Sequence, residues 1–368
     1  MNCDAQKLYV IYGDNPDEMI NKLFSKVKIE ERIDKNARIG IKPNLVVAKP
    51  ADLGATTSEK LCEAVIAYLK AQGFTDIVIL EGSWIGESTA RAFSVCGYTQ
   101  LSEKYGVPLI DLQRDAYSSV TVDGIEIAVC DAVRGVDYLI NMPVLKGHCQ
   151  TKITCALKNL KGCIPNSEKR RFHRLGLHKP IAVLNKAIKT DLIIVDGLVG
   201  DLNFEEGGNP VQMDRIIVGF DPVLVDSYAA ELLGYSPEEI EYITMAEELG
   251  VGKCLENKEQ VVELNPQKHS KKIPHSREVA QLARYLDDLD ACSACYGSAI
   301  HALARLDDQG LLDRINTKLV IGQGYQGMTG DSAVGIGSCT RGFTRHIKGC
   351  PPTAKTIIDK LMEQFVLK

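Results

Sequence analysis

Asp76-Ile77-Val78-Ile79-Leu80-Glu81-Gly82-Ser83 contains an apolar run that ends on an acid, a glycine and a serine. A short run with no polar member reads as a strand buried on both faces. Just before it, residues 58–72 repeat apolar side chains at helical spacing, with Thr57 or Ser58 to cap the start and Gly73 to stop the end. Strand and helix alternate in both directions from there. Toward the N-terminus lie the strand Leu8-Tyr9-Val10-Ile11-Tyr12, a helix over 15–27 and a second apolar run over 38–47. Toward the C-terminus come a helix over 88–96, strands over 108–111 and 138–141, a helix over 180–188, a strand over 191–196 and a helix over 223–233. This alternation predicts an α/β fold with a mostly parallel sheet and helices on both faces.

Such sheets gather their chemistry at the carboxyl ends of the strands. The polar clusters fall there: Lys42 and Asn44, Glu81, the stretch 141–148, and Asp196. Between Cys254 and Arg277 the chain turns polar and carries Pro266 and Pro274, which predicts a linker over 254–276. The linker would join an α/β domain over 1–253 to a smaller α/β domain over 277–368. In the smaller domain the pattern predicts a helix over 277–289, a second ending near Leu312, a strand over 318–322 and a last helix over 352–366.

Of the 368 residues, 45% are apolar and 25% charged, a composition that can bury a sizeable core. The formal net charge of −5 argues against a nucleic-acid partner. No uncharged apolar run approaches the roughly 20 residues that span a bilayer, so no membrane association is expected. Residues 1–13 lack the apolar core and cleavage site of a signal peptide, and a cytoplasmic location follows as the expectation. Twelve cysteines in a reducing compartment point to metal ligation or burial rather than disulfides.

Four of those cysteines form a pattern. Cys292-Ser293-Ala294-Cys295 is a CxxC, Cys339 closes Gly335-Ile336-Gly337-Ser338-Cys339, and Cys350 sits in Lys348-Gly349-Cys350-Pro351-Pro352. Four thiolates are what a cubane requires, and the glycines let backbone N–H groups approach its sulfides. The prolines pre-set the start of the final helix. From spacing alone, the four also fit a structural zinc site, and the CxxC fits a redox disulfide. CxxC followed by Gly-x-Cys and Gly-Cys-Pro-Pro resembles the proximal-cluster domain of the nickel–iron hydrogenase small subunit, and the cluster subunit of respiratory complex I nearest the quinone is similar. That resemblance covers about the last 80 residues. It implies a 4Fe-4S cluster on Cys292, Cys295, Cys339 and Cys350; with no large partner subunit visible, a hydrogenase or quinone reaction does not carry over. Gly322-x-Gly324-x-x-Gly327 matches a dinucleotide fingerprint in letters, but no amphipathic helix follows, so a loop folding over the cluster is the expectation.

The first domain holds the densest polar stretch, Met142-Pro143-Val144-Leu145-Lys146-Gly147-His148, followed by Thr151, Thr154 and Lys158-Asn159-Leu160-Lys161-Gly162. If residues 151–159 are helical, His148, Thr151, Thr154 or Cys155, and Lys158 share one face. Lys146, His148 and Lys158 are the catalytic candidates. Lys42, Asn44, Glu81, Asn159, Asp196 and Asp221 are the ligand-binding candidates, their cations suited to a carboxylate or phosphate. Carboxylates with His148 also suit a divalent metal. Lysines of this kind are often merely solvated, and Asp221 and Asp226 also fit helix caps. Cys149, Cys155 and Cys163 match no common cluster spacing and read as small buried residues, as do Cys3, Cys62, Cys96 and Cys130. His173 and His178 fit either a pocket mouth or a solvated loop.

With Lys42-Pro43-Asn44, Gly54-Ala55-Thr56-Thr57-Ser58, Glu81-Gly82, Asp196-Gly197, Glu206-Gly207-Gly208-x-Pro210 and Asp221-Pro222-x-x-x-Asp226, this stretch resembles the bacterial and archaeal family catalogued as domain of unknown function 362. The motifs run in order from about Gly40 to Gly252. The resemblance implies the α/β fold and an association with iron–sulfur clusters, and it leaves the substrate open. The expected function is therefore an iron–sulfur redox enzyme or electron-transfer protein. Its cluster would serve a redox protein partner or an anionic small-molecule ligand bound at the strand ends. A lyase or isomerase with a structural or Lewis-acid cluster, and a maturation protein carrying a cluster or metal, fit the same residues.

Overall fold

In the computed structural model, which describes residues 6–265 and 278–365, the apolar runs become strands of one eight-stranded sheet. The chain lays down β1 (Leu8–Tyr12), β2 (Ile39–Pro43), β3 (Ile77–Glu81) and β4 (Leu109–Asp111). The hairpin β5 (Tyr117–Val122) and β6 (Ile125–Cys130) precedes β7 (Tyr138–Met142). The ribbon β8 (Lys146–His148) and β9 (Lys152–Thr154) follows, then β10 (Leu192–Asp201), β11 (Pro210–Gly219) and β12 (Val261–Glu263). The spatial order is β12-β1-β11-β10-β7-β2-β3-β4, and β11 alone in this sheet runs against its neighbours.

Alternate strand residues enter opposite cores, because side chains on a strand point to the two faces in turn. Ile11, Ile41, Ile79, Ile140, Ile194 and Val218 pack with the helices Pro16–Val27 and Glu59–Ala71. Their neighbours Val10, Val78, Leu80, Leu139, Val195 and Ile217 are equally buried on the other side. There the helices Ala156–Asn159 and Pro222–Leu232 pack against β7 and β11. Helices thus cover both faces, and the strands need no polar side. Asp221 caps the helix Pro222–Leu232 by accepting from Val223 N–H at 2.8 Å and Leu224 N–H at 3.1 Å, and its other oxygen accepts from Lys253 N–H at 2.8 Å. Asp221→Ala is expected to lower stability by about 1–2 kcal/mol. Urea unfolding followed by the fluorescence of Trp84, the single tryptophan, measures it.

The chain divides into two compact units, one made of 1–169 with 177–275 and the other of 170–176 with 276–368. The second unit has its own sheet of four strands, β13 (Leu286–Asp288), β14 (Leu319–Ile321), β15 (Gly330–Ile336) and β16 (Phe343–Ile347), in that order and all parallel. The helices Ser293–Asp308 and Ala354–Phe365 pack together beside it.

Three expectations need correction. The stretch read as a linker carries β12, whose Leu8↔Val261 and Val10↔Glu263 register extends the first sheet; residues 266–276 of that stretch lie outside the described residues, as does Cys3. The helix expected over 277–289 is Glu278–Leu282 followed by the strand β13, since parallel pairing with β14 overrides the helical pattern. Residues 151–159 are not one helix. The chain turns back at Cys149–Thr151, Lys152 takes a left-handed φ of 66°, and only Ala156–Asn159 is helical.

Candidate functional site

The four late cysteines come from loops at one end of the second unit's sheet. Because all four strands are parallel, their carboxyl ends lie together, and the loops leaving β13, β15 and β16 carry Cys292 with Cys295, Cys339, and Cys350. Cys292 is the N-cap of the helix Ser293–Asp308, and Cys295 lies in its first turn. Burial pushes the Cys295 thiol up, and Cys292, Cys350 and Cys339 each add to the push, so all three act on it. Gly337 takes φ 88° and Gly349 φ 145°, conformations that L side chains rarely adopt. A Cβ on Gly337 would lie 3.6 Å from Cys295 Sγ, and one on Gly349 would collide with Pro352 Cα at 2.4 Å. Bare backbone at Gly337 therefore faces the Cys295 thiol. The chemistry of four thiols beside N–H-bearing glycine turns fits an iron–sulfur cluster.

The glycine fingerprint after β14 serves packing. A Cβ on Gly322 would lie 1.9 Å from Leu289 O, and one on Gly324 would strike the Leu289 side chain. Its loop turns as the short 3₁₀ helix Gln323–Tyr325, and Gln326 Nε2 donates to Cys339 Sγ at 3.5 Å. The loop thus reaches one of the four thiols.

In the first unit the strand ends carry a closed polar network. Lys42 Nζ donates to Glu81 Oε2 at 2.8 Å and to Pro43 O at 2.7 Å. Glu81 also accepts from Leu45 N–H at 2.8 Å and Gly82 N–H at 2.7 Å. Asn159 sits against Lys42 Nζ at 3.4 Å and donates to Asn141 Oδ1 at 2.7 Å. Gly162 roofs the ion pair: a Cβ there would approach Glu81 Oε1 to 2.2 Å and Lys42 Nζ to 2.6 Å. Lys146 is wholly buried and spends its ammonium protons on Asn44 Oδ1 (3.1 Å), Glu205 O (2.7 Å) and Ala55 O. Burial pulls its pKa down to about 7.

Glu205 brings the other two catalytic candidates together. Its Oε2 accepts from Lys158 Nζ at 2.9 Å and lies 3.0 Å from His148 Nε2. His148 Nδ1 accepts two backbone N–H groups, from Gln150 at 3.0 Å and Thr151 at 3.1 Å, so the imidazole proton resides on Nε2. Burial lowers the His148 pKa to about 4, outweighing the upward pull of Glu205. The lysine and the histidine hold Glu205 well below the usual carboxylate range despite its burial. Between the unfolded value of 6.5 and about 4, the unfolded chain takes up a proton that folded His148 refuses. His148 therefore contributes stability above pH 6.5 that is lost as the pH falls toward 4. Side-chain ¹⁵N shifts should report a neutral, Nε2-protonated His148 at pH 5.5; a charged ring there would refute the assignment.

Two candidates stand apart from this network. Asp196 accepts from Ser58 N–H at 2.7 Å and Leu198 N–H at 3.0 Å, pinning the start of the helix Glu59–Ala71, and burial raises it to about 6. Asp221 is the helix cap described above. Asp226 likewise receives Ala156 N–H at 2.6 Å and Leu157 N–H at 3.2 Å. The cations of the network are met by acceptors of the chain itself, so an anion reaching Lys158 must displace Glu205. Among the described residues no group of three or more His, Cys, Asp or Glu side chains is arranged to hold a metal ion. The divalent metal anticipated beside His148 thus has no ready ligand set there. Cys155 and Cys163 are buried and Cys149 is partly so, with burial raising all three thiols.

Residues 39–231, more than half of the chain, match the family described as Domain of unknown function (DUF362). The chain belongs to the DUF362 family. The match contains every member of the strand-end network and ends before the four late cysteines. The chain is also 25% identical over 228 residues to the thylakoid-associated protein sll1697 of Synechocystis sp., spanning 58% of this chain and 68% of that one. Among solved structures, the lactate racemase apoprotein from Thermoanaerobacterium thermosaccharolyticum aligns with a TM-score of 0.40 at 10% identity. That alignment covers 60% of this DUF362 protein and 56% of the racemase. No helix among the described residues is long and apolar enough to cross a membrane.

Proposed function

We propose that this DUF362 protein is an iron–sulfur redox protein, with one 4Fe-4S cluster held by Cys292, Cys295, Cys339 and Cys350. One observation carries the reading: three parallel strand ends deliver the four thiols to one rim, where three of them act on the fourth. In a cubane each iron takes one thiolate, so the four sulfurs stand apart, whereas a zinc ion needs all four about 2.3 Å from one atom. The cluster would supply single-electron exchange. The chain's own part is to enclose Cys295 partly, to open the backbone at Gly337 and Gly349, and to donate to Cys339 from Gln326.

In the first unit, Lys158, Glu205 and His148 form the acid–base set of this reading. Glu205 holds a negative charge between a lysine and a neutral imidazole, an arrangement that separates the proton affinities of the three groups. Anaerobic reconstitution with iron and sulfide tests the cluster. About four irons and four acid-labile sulfides per chain, with a paramagnetic signal after reduction, are expected. A single zinc, or no bound metal, would falsify the proposal.

A further inference from the structure

We infer that the β16 edge of the second unit is a docking surface for an acidic electron-carrier protein, an inference that rests on the cluster proposed above. From Ser332 to Ile358 the chain has no Asp or Glu and carries Arg341, Arg345, Lys348 and Lys355, although the whole chain has a net charge of −5. This run contains both single cysteines of the cluster set. Arg345 and Lys355 are engaged: Arg345 donates to Ser332 O at 2.7 Å and lies over the Phe365 ring, and Lys355 pairs with Asp359 at 3.0 Å. Arg341, two residues after Cys339, and Lys348, two before Cys350, are exposed and have no ion-pair or hydrogen-bond partner among the described residues. Cys350 itself is exposed, so the thiol set reaches the surface at the end of β16 that Lys348 follows, while Arg341 precedes the strand's other end.

The acid nearest β16, Asp331, accepts from the Thr344 hydroxyl, whereas the opposite edge of the same sheet carries two acids in one strand. β13 ends in the exposed Asp287 and Asp288. A uniformly acidic partner is drawn to β16 and repelled from β13, which orients it with its own centre toward Cys339 and Cys350. A basic carrier would be turned the wrong way. With the cluster bound on Cys292, Cys295, Cys339 and Cys350, one electron would pass from the reduced carrier to it; the carrier would be oxidised, the cluster reduced, and no bond or proton would change hands.

The test uses the full chain with its cluster reconstituted and, as probes, a reduced acidic ferredoxin and a reduced basic cytochrome c. Stopped-flow absorbance gives the bimolecular rate of cluster reduction by each. Charge reversal by Arg341→Glu with Lys348→Glu is expected to slow the ferredoxin reaction about tenfold, and raising the salt should slow the unaltered chain in the same way. Iron content confirms that the variant is loaded, and Arg341→Gln with Lys348→Gln supplies a milder change if the reversal fails to load. A cation pair that merely balances cluster charge would shift the reduction potential and leave the salt dependence intact, and that result overturns the inference. So does a loaded chain that reacts equally fast with both carriers. An unaltered chain that takes up no cluster ends this inference and the proposed function together, whereas a loaded chain indifferent to charge ends this one alone.

Discussion

Cys295→Ser is expected to leave the reconstituted chain with almost no iron or labile sulfide. Cys295 is partly buried and is the thiol that the other three act upon. A serine hydroxyl does not ionise near neutral pH, so it offers the iron no anionic ligand. Cys350 is exposed, and Cys350→Ser should be milder, because solvent can reach the iron left without its thiolate. Cys149→Ser, beside His148 in the first unit, should leave the iron content unchanged. Iron and sulfide analysis on the three variants, prepared identically, decides the matter. Equal losses in all three would mean that the late cysteines are not the ligands.

Glu205→Gln should destabilise the first unit by about 3–5 kcal/mol, the usual result of removing one partner from a buried ion pair. The glutamine keeps the shape of the side chain but leaves the Lys158 ammonium, only 5% exposed, without a counter-charge. Pairing the change with Lys158→Met removes the stranded charge, and most of the lost stability should return. Trp84 fluorescence during urea unfolding reports on the first unit, since that unit contains the single tryptophan. A double variant as weak as the single one would show that packing around Glu205, rather than the charge pair, carries the energy.

How much of this could be read from the chain alone depended on how loudly each segment signals. β2, β3 and β7 were legible because both of their faces are buried, and an apolar run with no polar face has few other readings. β11 was not anticipated: its first half, Pro210 to Arg215, is polar, and Asp214 even adopts a left-handed φ of 50°. β12 was hidden in a polar stretch because an edge strand of three half-exposed residues has little apolar signal. The four cysteines stood out because a CxxC and two glycine-preceded cysteines in one small domain form a pattern that four-thiolate ligation would use. Glu205 did not stand out. It precedes the Glu206-Gly207-Gly208 motif, but nothing in the local sequence links it to Lys158 or His148, which only folding brings near. Lys42, Glu81 and Asn159 were legible as a polar group, whereas their closure under Gly162 was not. That depends on a backbone approach so close that a Cβ at Gly162 would come to 2.2 Å from Glu81 Oε1, which sequence spacing does not encode.

The thiols of the second unit sit at both margins of its sheet, and the proposed cluster would join them. Cys292 follows β13 at one margin and Cys350 follows β16 at the other, so a centre gripped by both would span the sheet from outside its hydrogen-bonded ladder. Such a bridge would act as a clasp. Stripping out the inorganic core would loosen the small sheet at both margins at once, and the iron-depleted form would be the one most open to proteolysis.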